Sequence, residues 1–224
     1  MIRRIAITLT LLLMTLDPAQ LAADIVIDNF TQGSPLSRVT AGSVSQSTNH
    51  PSILGGTRES TLTVPNLGGS ELFGVLGFGN GLQIAQGTSD QIQGALTYQN
   101  FGTIDLTEAS GNTNFALSIT QNGAVQAIND VFWVSVGSGG SNTQVFFDIP
   151  AVGSSWVQVD FADFVGVDLT AVDSIQLGFD FATVPGGEVT INQFLATQGV
   201  PEPGMAGISM ILLAAIAMRR RRLA

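Results

Sequence analysis

Cysteine and lysine are absent from the 224-residue chain, and histidine and tyrosine occur once each. Without cysteine there is no disulfide and no thiol nucleophile, so a folded body must hold by its core alone. Without lysine there is no Schiff-base chemistry, and a single histidine, His50, excludes a multi-histidine zinc site. Charged residues make up only 11% of the chain, whereas helix-rich proteins carry more Lys, Glu and Arg. What is present instead is 45% apolar residues and 26 glycines, the balance of a β-protein punctuated by tight turns.

The charges are unevenly placed. All eight basic residues are arginine: Arg3 and Arg4 at the start, Arg219 to Arg222 at the end, and Arg38 and Arg58 between. Setting both ends aside also removes Asp17 and Glu202, which leaves fifteen acids against two arginines, a balance of −13. Such a body repels nucleic acid and anionic lipid, so no nucleic-acid partner is expected. The same balance suits solubility or a bound divalent cation.

Residues 1–23 have the three parts of a secretory signal: Arg3 and Arg4, the apolar run Ile5 to Leu16, then a polar break before Ala22 and Ala23. A twelve-residue run is short of the roughly 20 residues that span a bilayer. Removal by signal peptidase near Ala23, freeing Asp24, is expected; the alternative is an uncleaved anchor. At the other end, residues 198–224 hold a motif, Val200, Pro201, Glu202 and Pro203, then the apolar stretch Met205 to Met218, then Arg219, Arg220, Arg221 and Arg222. The prolines exclude a strand there. Fourteen helical residues reach about 21 Å at ~1.5 Å each, less than the ~30 Å hydrocarbon core. The four arginines would stay on the cytoplasmic side by the positive-inside rule and stall export with the body outside. An ordinary single-pass anchor is the rival reading.

This tail resembles the PEP-CTERM sorting signal of Gram-negative bacteria, which exosortases recognise; the resemblance covers Val200 to Ala224. It implies transient retention in the inner membrane, removal of the tail near Pro-Glu-Pro, and delivery of the body to the cell surface or the extracellular polysaccharide.

Between Asp24 and Thr197 no long 3.6-residue period occurs, and the apolar residues alternate. In Ser174 to Phe181, residues Ile175, Leu177, Phe179 and Phe181 share one face and Ser174, Gln176, Gly178 and Asp180 the other. In Trp156 to Phe161, Val157, Val159 and Phe161 oppose Trp156, Gln158 and Asp160. Similar runs cover Asp24 to Phe30, Ser60 to Val64, Leu72 to Gly77, Ala95 to Tyr98, Phe115 to Thr120, Val131 to Val136, Gln144 to Ile149 and Val189 to Phe194. That many short strands predict an all-β, two-sheet β-sandwich over residues 24–197. Hairpin signals stand at Gly68-Gly69, Asn80-Gly81, Asn122-Gly123, Gly139-Gly140 and Gly186-Gly187. Single helical turns are expected at Ala162 to Phe164 and Leu169 to Val172.

Ile27-Asp28-Asn29-Phe30 and Ile191-Asn192-Gln193-Phe194 share a pattern that suits two terminal strands in one sheet. With "ILGGTRESTLTV" over 53–64 and "WVQVDFADF" over 156–164, the body resembles the galactose-binding-like jelly rolls of exported bacterial proteins. This implies a two-sheet sandwich, and the tail adds a short apolar helix after it.

Candidate chemistry is thin. His50 reads as a loop residue, and no Gly-x-Ser-x-Gly elbow raises a serine. Paired carboxylates are the one catalytic route, drawn from Asp160, Asp163, Asp168, Asp173 and Asp180; turn and capping roles account for most of them. A structural calcium ion would take oxygen ligands, with Asp28, Asp160 and Asp163 as candidates, and no other cofactor is expected. Sugars stack on exposed aromatic faces, which nominates Trp156, Trp133 and Tyr98; each can also be an edge-of-core aromatic with its polar tip near water. The combined expectation is a non-enzymatic, exosortase-sorted surface or matrix protein associated with extracellular polysaccharide. The alternatives are a secreted carbohydrate-active enzyme using two Asp, or a carbohydrate-binding module kept at the membrane by its tail.

Overall fold

The computed structural model describes residues 24–38, 40–65, 74–86, 92–107, 111–121, 128–150, 153–181 and 188–198. The signal-like and tail segments lie outside these residues, as do the hairpin signals at Gly68-Gly69, Asn122-Gly123 and Gly186-Gly187. No helix among the described residues is long and apolar enough to cross a membrane.

In chain order the strands are β1 (Ile25–Asp28), β2 (Leu36–Arg38), β3 (Gly42–Asn49), β4 (Thr57–Val64), β5 (Gly74–Gly77), β6 (Leu82–Gln86) and β7 (Gln93–Ile104). They continue with β8 (Asn114–Gln121), β9 (Ile128–Ser138), β10 (Ser141–Ile149), β11 (Gly153–Asp160), β12 (Val172–Asp180) and β13 (Glu188–Thr197). All pair antiparallel, in two sheets that form a sandwich. The first sheet runs β11-β8-β13-β6-β5-β2, and β1 joins the same edge of β13 as β6. The second runs β10-β9-β12-β7-β4-β3.

Period-two alternation decides what goes inside. Ile175, Leu177 and Phe179 of β12 turn inward in register with Val136, Val134 and Phe132 of β9. Phe115, Leu117 and Ile119 of β8 do the same from the first sheet. The rings meet tilted or edge-on: Phe132 lies 5.4 Å from Phe181 at 86°, and Phe115 lies 4.9 Å from Phe161 at 70°. Each such side chain contributes ~1.5–3 kcal/mol by leaving water. The terminal strands share a sheet as expected, with Ile25 opposite Ala196 and Val26 opposite Leu195. Gly139 and Gly140, at φ 56° and 89°, close the two-residue hairpin between β9 and β10, a turn whose positive φ values favour glycine at both places.

Two local expectations differ from what is seen, and strands β2, β3 and β6 have no counterpart in the sequence reading. The helical turn placed at Ala162 to Phe164 is a 3-10 turn one residue earlier, Phe161–Asp163, because the Asp160 side chain accepts the Ala162 N–H at 2.9 Å and starts it there. Residues 169–172 are not helical: Ala171 N–H reaches Asp168 O at 3.1 Å in a turn, and Val172 already belongs to β12. β3 escapes the alternation test. It is an edge strand of sequence GSVSQSTN, with one apolar residue, and its exposed side needs no apolar face.

One end of the interior is polar. Arg58 of β4, fully buried, donates from Nη1 to Asp28 Oδ2 of β1 at 2.6 Å, from Nη2 to Gln32 O at 2.6 Å and from Nε to Ser60 Oγ at 3.2 Å. Its guanidinium lies 4.0 Å from the Phe78 ring centroid. Asp28 also accepts the Tyr98 hydroxyl at 3.1 Å and, through Oδ1, the Phe30 N–H at 2.7 Å. That last bond holds Phe30 in the left-handed region, φ 54°, which costs a bulky residue ~1–3 kcal/mol. The cluster ties β1 of one sheet to β4 and β7 of the other.

Candidate functional site

The outer face of the second sheet carries an ordered surface. Residues in register across all six strands form a row: Phe146, Trp133, Gly178, Ala95, Thr61 and Ser45. Five strand spacings of ~4.8 Å make it roughly 24 Å long. Trp133 points outward because it alternates with the buried Phe132 and Val134, and its ring lies 5.9 Å from that of Phe146, which is 50% exposed. Gly178 sets the pose of the indole: a β-carbon there would overlap the Trp133 ring. The ring therefore lies flat on the sheet, where a bulkier residue at 178 would tilt it away. Beyond it the small side chains of Ala95 and Thr61 continue the low line.

Polar rows flank that line. On one side are Gln144, Ser135, Gln176, Thr97, Glu59 and Ser47, on the other Asp180, Gln93, Thr63 and Ser43. Neighbours fix one another: Gln176 Nε2 donates to Thr97 Oγ1 at 3.1 Å, Gln93 Nε2 to Asp180 Oδ2 at 2.9 Å, and Ser43 and Thr63 share a 2.8 Å bond. Between the central line and the row of Asp180, Gln93 and Thr63 is an open depression of about 270 Å³, bounded by Trp133, Ala95, Thr61, Thr63, Gln93 and Asp180. The Trp133 Nε1 has no hydrogen-bond partner among the described residues. An aromatic face beside rows of amides, hydroxyls and carboxylates matches a ligand with apolar ring faces and many hydroxyls.

The aromatics nominated from sequence separate. Trp133 stands on this face. Trp156, 41% exposed, stands on the outer face of the other sheet, on edge strand β11 opposite Ser118, so the two tryptophans do not share a platform. Tyr98 is a correction: it is fully buried between the sheets with its hydroxyl on Asp28, and offers no face to a sugar. Burial first, and then the Asp28 carboxylate, push its phenol well above the ordinary value.

The carboxylates nominated for calcium are likewise dispersed. Asp28 is committed to Arg58, Tyr98 and the Phe30 N–H, Asp160 caps the turn after β11, and Asp163 is exposed within that turn. Among the described residues no three acidic or histidine side chains gather to hold a metal. Two other acids serve turns. Asp168 is held below the usual carboxylate range by Thr170, through its hydroxyl first and its N–H second. Asp173 accepts the Gly139 N–H at 3.0 Å. His50 is the loop residue expected, its Nδ1 2.8 Å from Ser52 Oγ and accepting the Ser52 N–H at 3.2 Å.

No protein-family model matches the sequence, and no curated protein matches it either. Solved structures of similar shape include the family 11 carbohydrate-binding module of cellulosomal cellulase Lic26A-Cel5E of Clostridium thermocellum. It shows 13% identity and a TM-score of 0.43, covering 81% of this chain and 98% of the module. An exo-beta-agarase is similar at 13% identity and a TM-score of 0.42, covering 81% of this chain and 26% of the enzyme. A carbohydrate-binding module specific for non-crystalline cellulose follows at 11% identity and 0.37, covering 62% and 80%. Values this low leave function to be argued from the chain's own residues.

Proposed function

We propose that the protein is an exported, non-catalytic carbohydrate-binding β-sandwich that works at the cell surface or in extracellular polysaccharide. The observation that carries this reading is Trp133, laid flat across Gly178 within a row of small residues and between rows of hydroxyl and amide groups. A sugar stacks its C–H face on the indole while Gln176, Thr97, Gln93 and Asp180 meet its hydroxyls. Catalysis has no comparable support, since four of the five acids nominated for it cap turns or pair with neighbours.

Delivery follows from the two ends in this reading. Signal peptidase removes residues 1–23, and the tail, through Val200 to Pro203 and Arg219 to Arg222, is handled by an exosortase in a Gram-negative host. The resemblance of that tail to PEP-CTERM signals supports this, and the body is then a galactose-binding-like jelly roll. Binding of the purified protein to polysaccharide from its own host tests the site: Trp133→Ala is expected to lose it and Trp156→Ala to keep it. A folded Trp133→Ala that binds in full overturns the assignment. Mass spectrometry of the termini, with and without the host's exosortase, tests delivery; persistence of Arg219 to Arg222 on the exported form in both strains removes the sorting role.

A further inference from the structure

The described residues contain no lysine and two arginines, and both guanidiniums are engaged by protein oxygens. Arg58 is fully buried with its nitrogens on Asp28, Gln32 O and Ser60. Arg38 wraps onto its own loop, donating from Nε to Thr40 O at 3.0 Å, from Nη1 to Ser43 O at 3.1 Å and from Nη2 to Ala41 O at 2.8 Å. The third cationic candidate, His50, has Nδ1 engaged by Ser52 and sits in the loop between β3 and β4, away from the Trp133 row.

Carboxylates dominate the Trp133 face among the described residues. Asp180 edges the depression, exposed Glu59 stands in the flanking row, and exposed Asp148 lies two residues beyond Phe146 on the same side of β10. A uronic or sulfated chain laid on this row would bring its anions within about one Debye length, ~8 Å, of fixed carboxylates, while the one guanidinium among the described residues that borders the face, Arg38 on Ser43 O, stands at the β3 edge, four strands from Trp133. Hydroxyl groups meet no such penalty, because amides and carboxylates both accept from them.

Resting on the carbohydrate reading above, we infer that the face selects a neutral glycan, lying across the strands from Phe146 and Trp133 toward Thr61, and rejects acidic ones. The acids of the face are thus specificity determinants, and Gly178 is a positioning residue that keeps the indole flat.

The test is affinity electrophoresis of the purified full-length protein against glucomannan, galactomannan and xyloglucan as neutral polymers, and alginate and polygalacturonate as acidic ones. It is run at low ionic strength, with EDTA or with calcium. At least one neutral polymer is expected to retard the protein at least about tenfold more strongly than either acidic one. Trp133→Ala and Gly178→Val should each weaken that binding about tenfold, with near-UV circular dichroism reporting the folded state. The double variant Glu59→Gln/Asp180→Asn should raise alginate binding severalfold. Alginate or polygalacturonate binding as well as every neutral polymer in EDTA overturns the charge inference while the carbohydrate reading stands; so does acidic-polymer binding that appears only with calcium and then matches the neutral ones. Neutral binding unmoved by Trp133→Ala overturns the placement. Retention by none of the five removes the carbohydrate reading and this inference together.

Discussion

The two halves of the sandwich interior are built on opposite principles. Between β9, β12 and β8 the contents are hydrocarbon, with Phe132, Val134, Leu177 and Phe179 in contact and nothing to hydrogen-bond. Around β4 and β1 the same layer holds an ion pair, a phenol and a serine, all buried. The apolar half draws its stability from area and tolerates modest reshaping. The polar half contributes little net energy when intact, since desolvation offsets attraction, yet it is costly to break because each partner would leave the other stranded. The link differs in kind too: in the apolar half the two sheets meet through side-chain packing, whereas the ion pair joins residues 28 and 58 across them.

The sharpest way to break that contrast is Arg58→Met, which leaves the Asp28 carboxylate buried without its cation. A loss of about 4 kcal/mol is expected in urea unfolding. Replacing both partners, Asp28→Leu with Arg58→Met, should recover only part of it, because the Tyr98 hydroxyl and the Phe30 N–H then lose their acceptor; a double variant as unstable as the single one would show the pair to be net stabilising. Leu177→Ala, in the apolar half, should cost about 3 kcal/mol, with no second substitution at 28 or 58 able to restore it.

Tyr98→Phe is smaller, about 1 kcal/mol near neutrality, and carries a pH signature. The folded phenol keeps its proton at a pH where an unfolded one, ordinary value about 10, gives it up. The contribution is complete below that pH and declines as pH rises from there toward the folded value. With one tyrosine and no lysine or cysteine in the chain, no other side chain but arginine titrates in that range. Wild-type protein should therefore lose stability above about pH 10, and Tyr98→Phe should show a flatter alkaline limb. Smallest of all, Trp156→Ala is expected to move stability by no more than about 0.5 kcal/mol, as an exposed residue outside both halves.

Much of the apolar half was legible in the sequence because its strands alternate cleanly, Ser174 to Phe181 above all. The polar half was not. Tyr98 was read as an amphipathic surface aromatic, although it falls in phase with Leu96, and that phase marks it as inward. Arg58 is in phase with Leu62 and Val64, so a lone arginine on an apolar face was the available signal. Its partner thirty residues away, brought from the other sheet, has no local trace in the chain. On the outer face, Trp133 was legible from its antiphase with Phe132 and Val134. Gly178 was visible only as one more polar-side position, because close approach of a ring depends on the register of β9 against β12, which alternation does not supply.

The pairing of β1 with β13 has a mechanical consequence. Ile25 lies opposite Ala196, so the chain enters and leaves the sandwich side by side at one corner. Tension applied through residues 24 and 198 acts across this antiparallel pair from its open end and peels the rungs one after another, the weakest way to load a ladder of hydrogen bonds. At the end of β1 the peeling front reaches Asp28, where the buried ion pair passes the load to β4 of the second sheet until it parts. β1 is thus a tear strip with a latch at its far end.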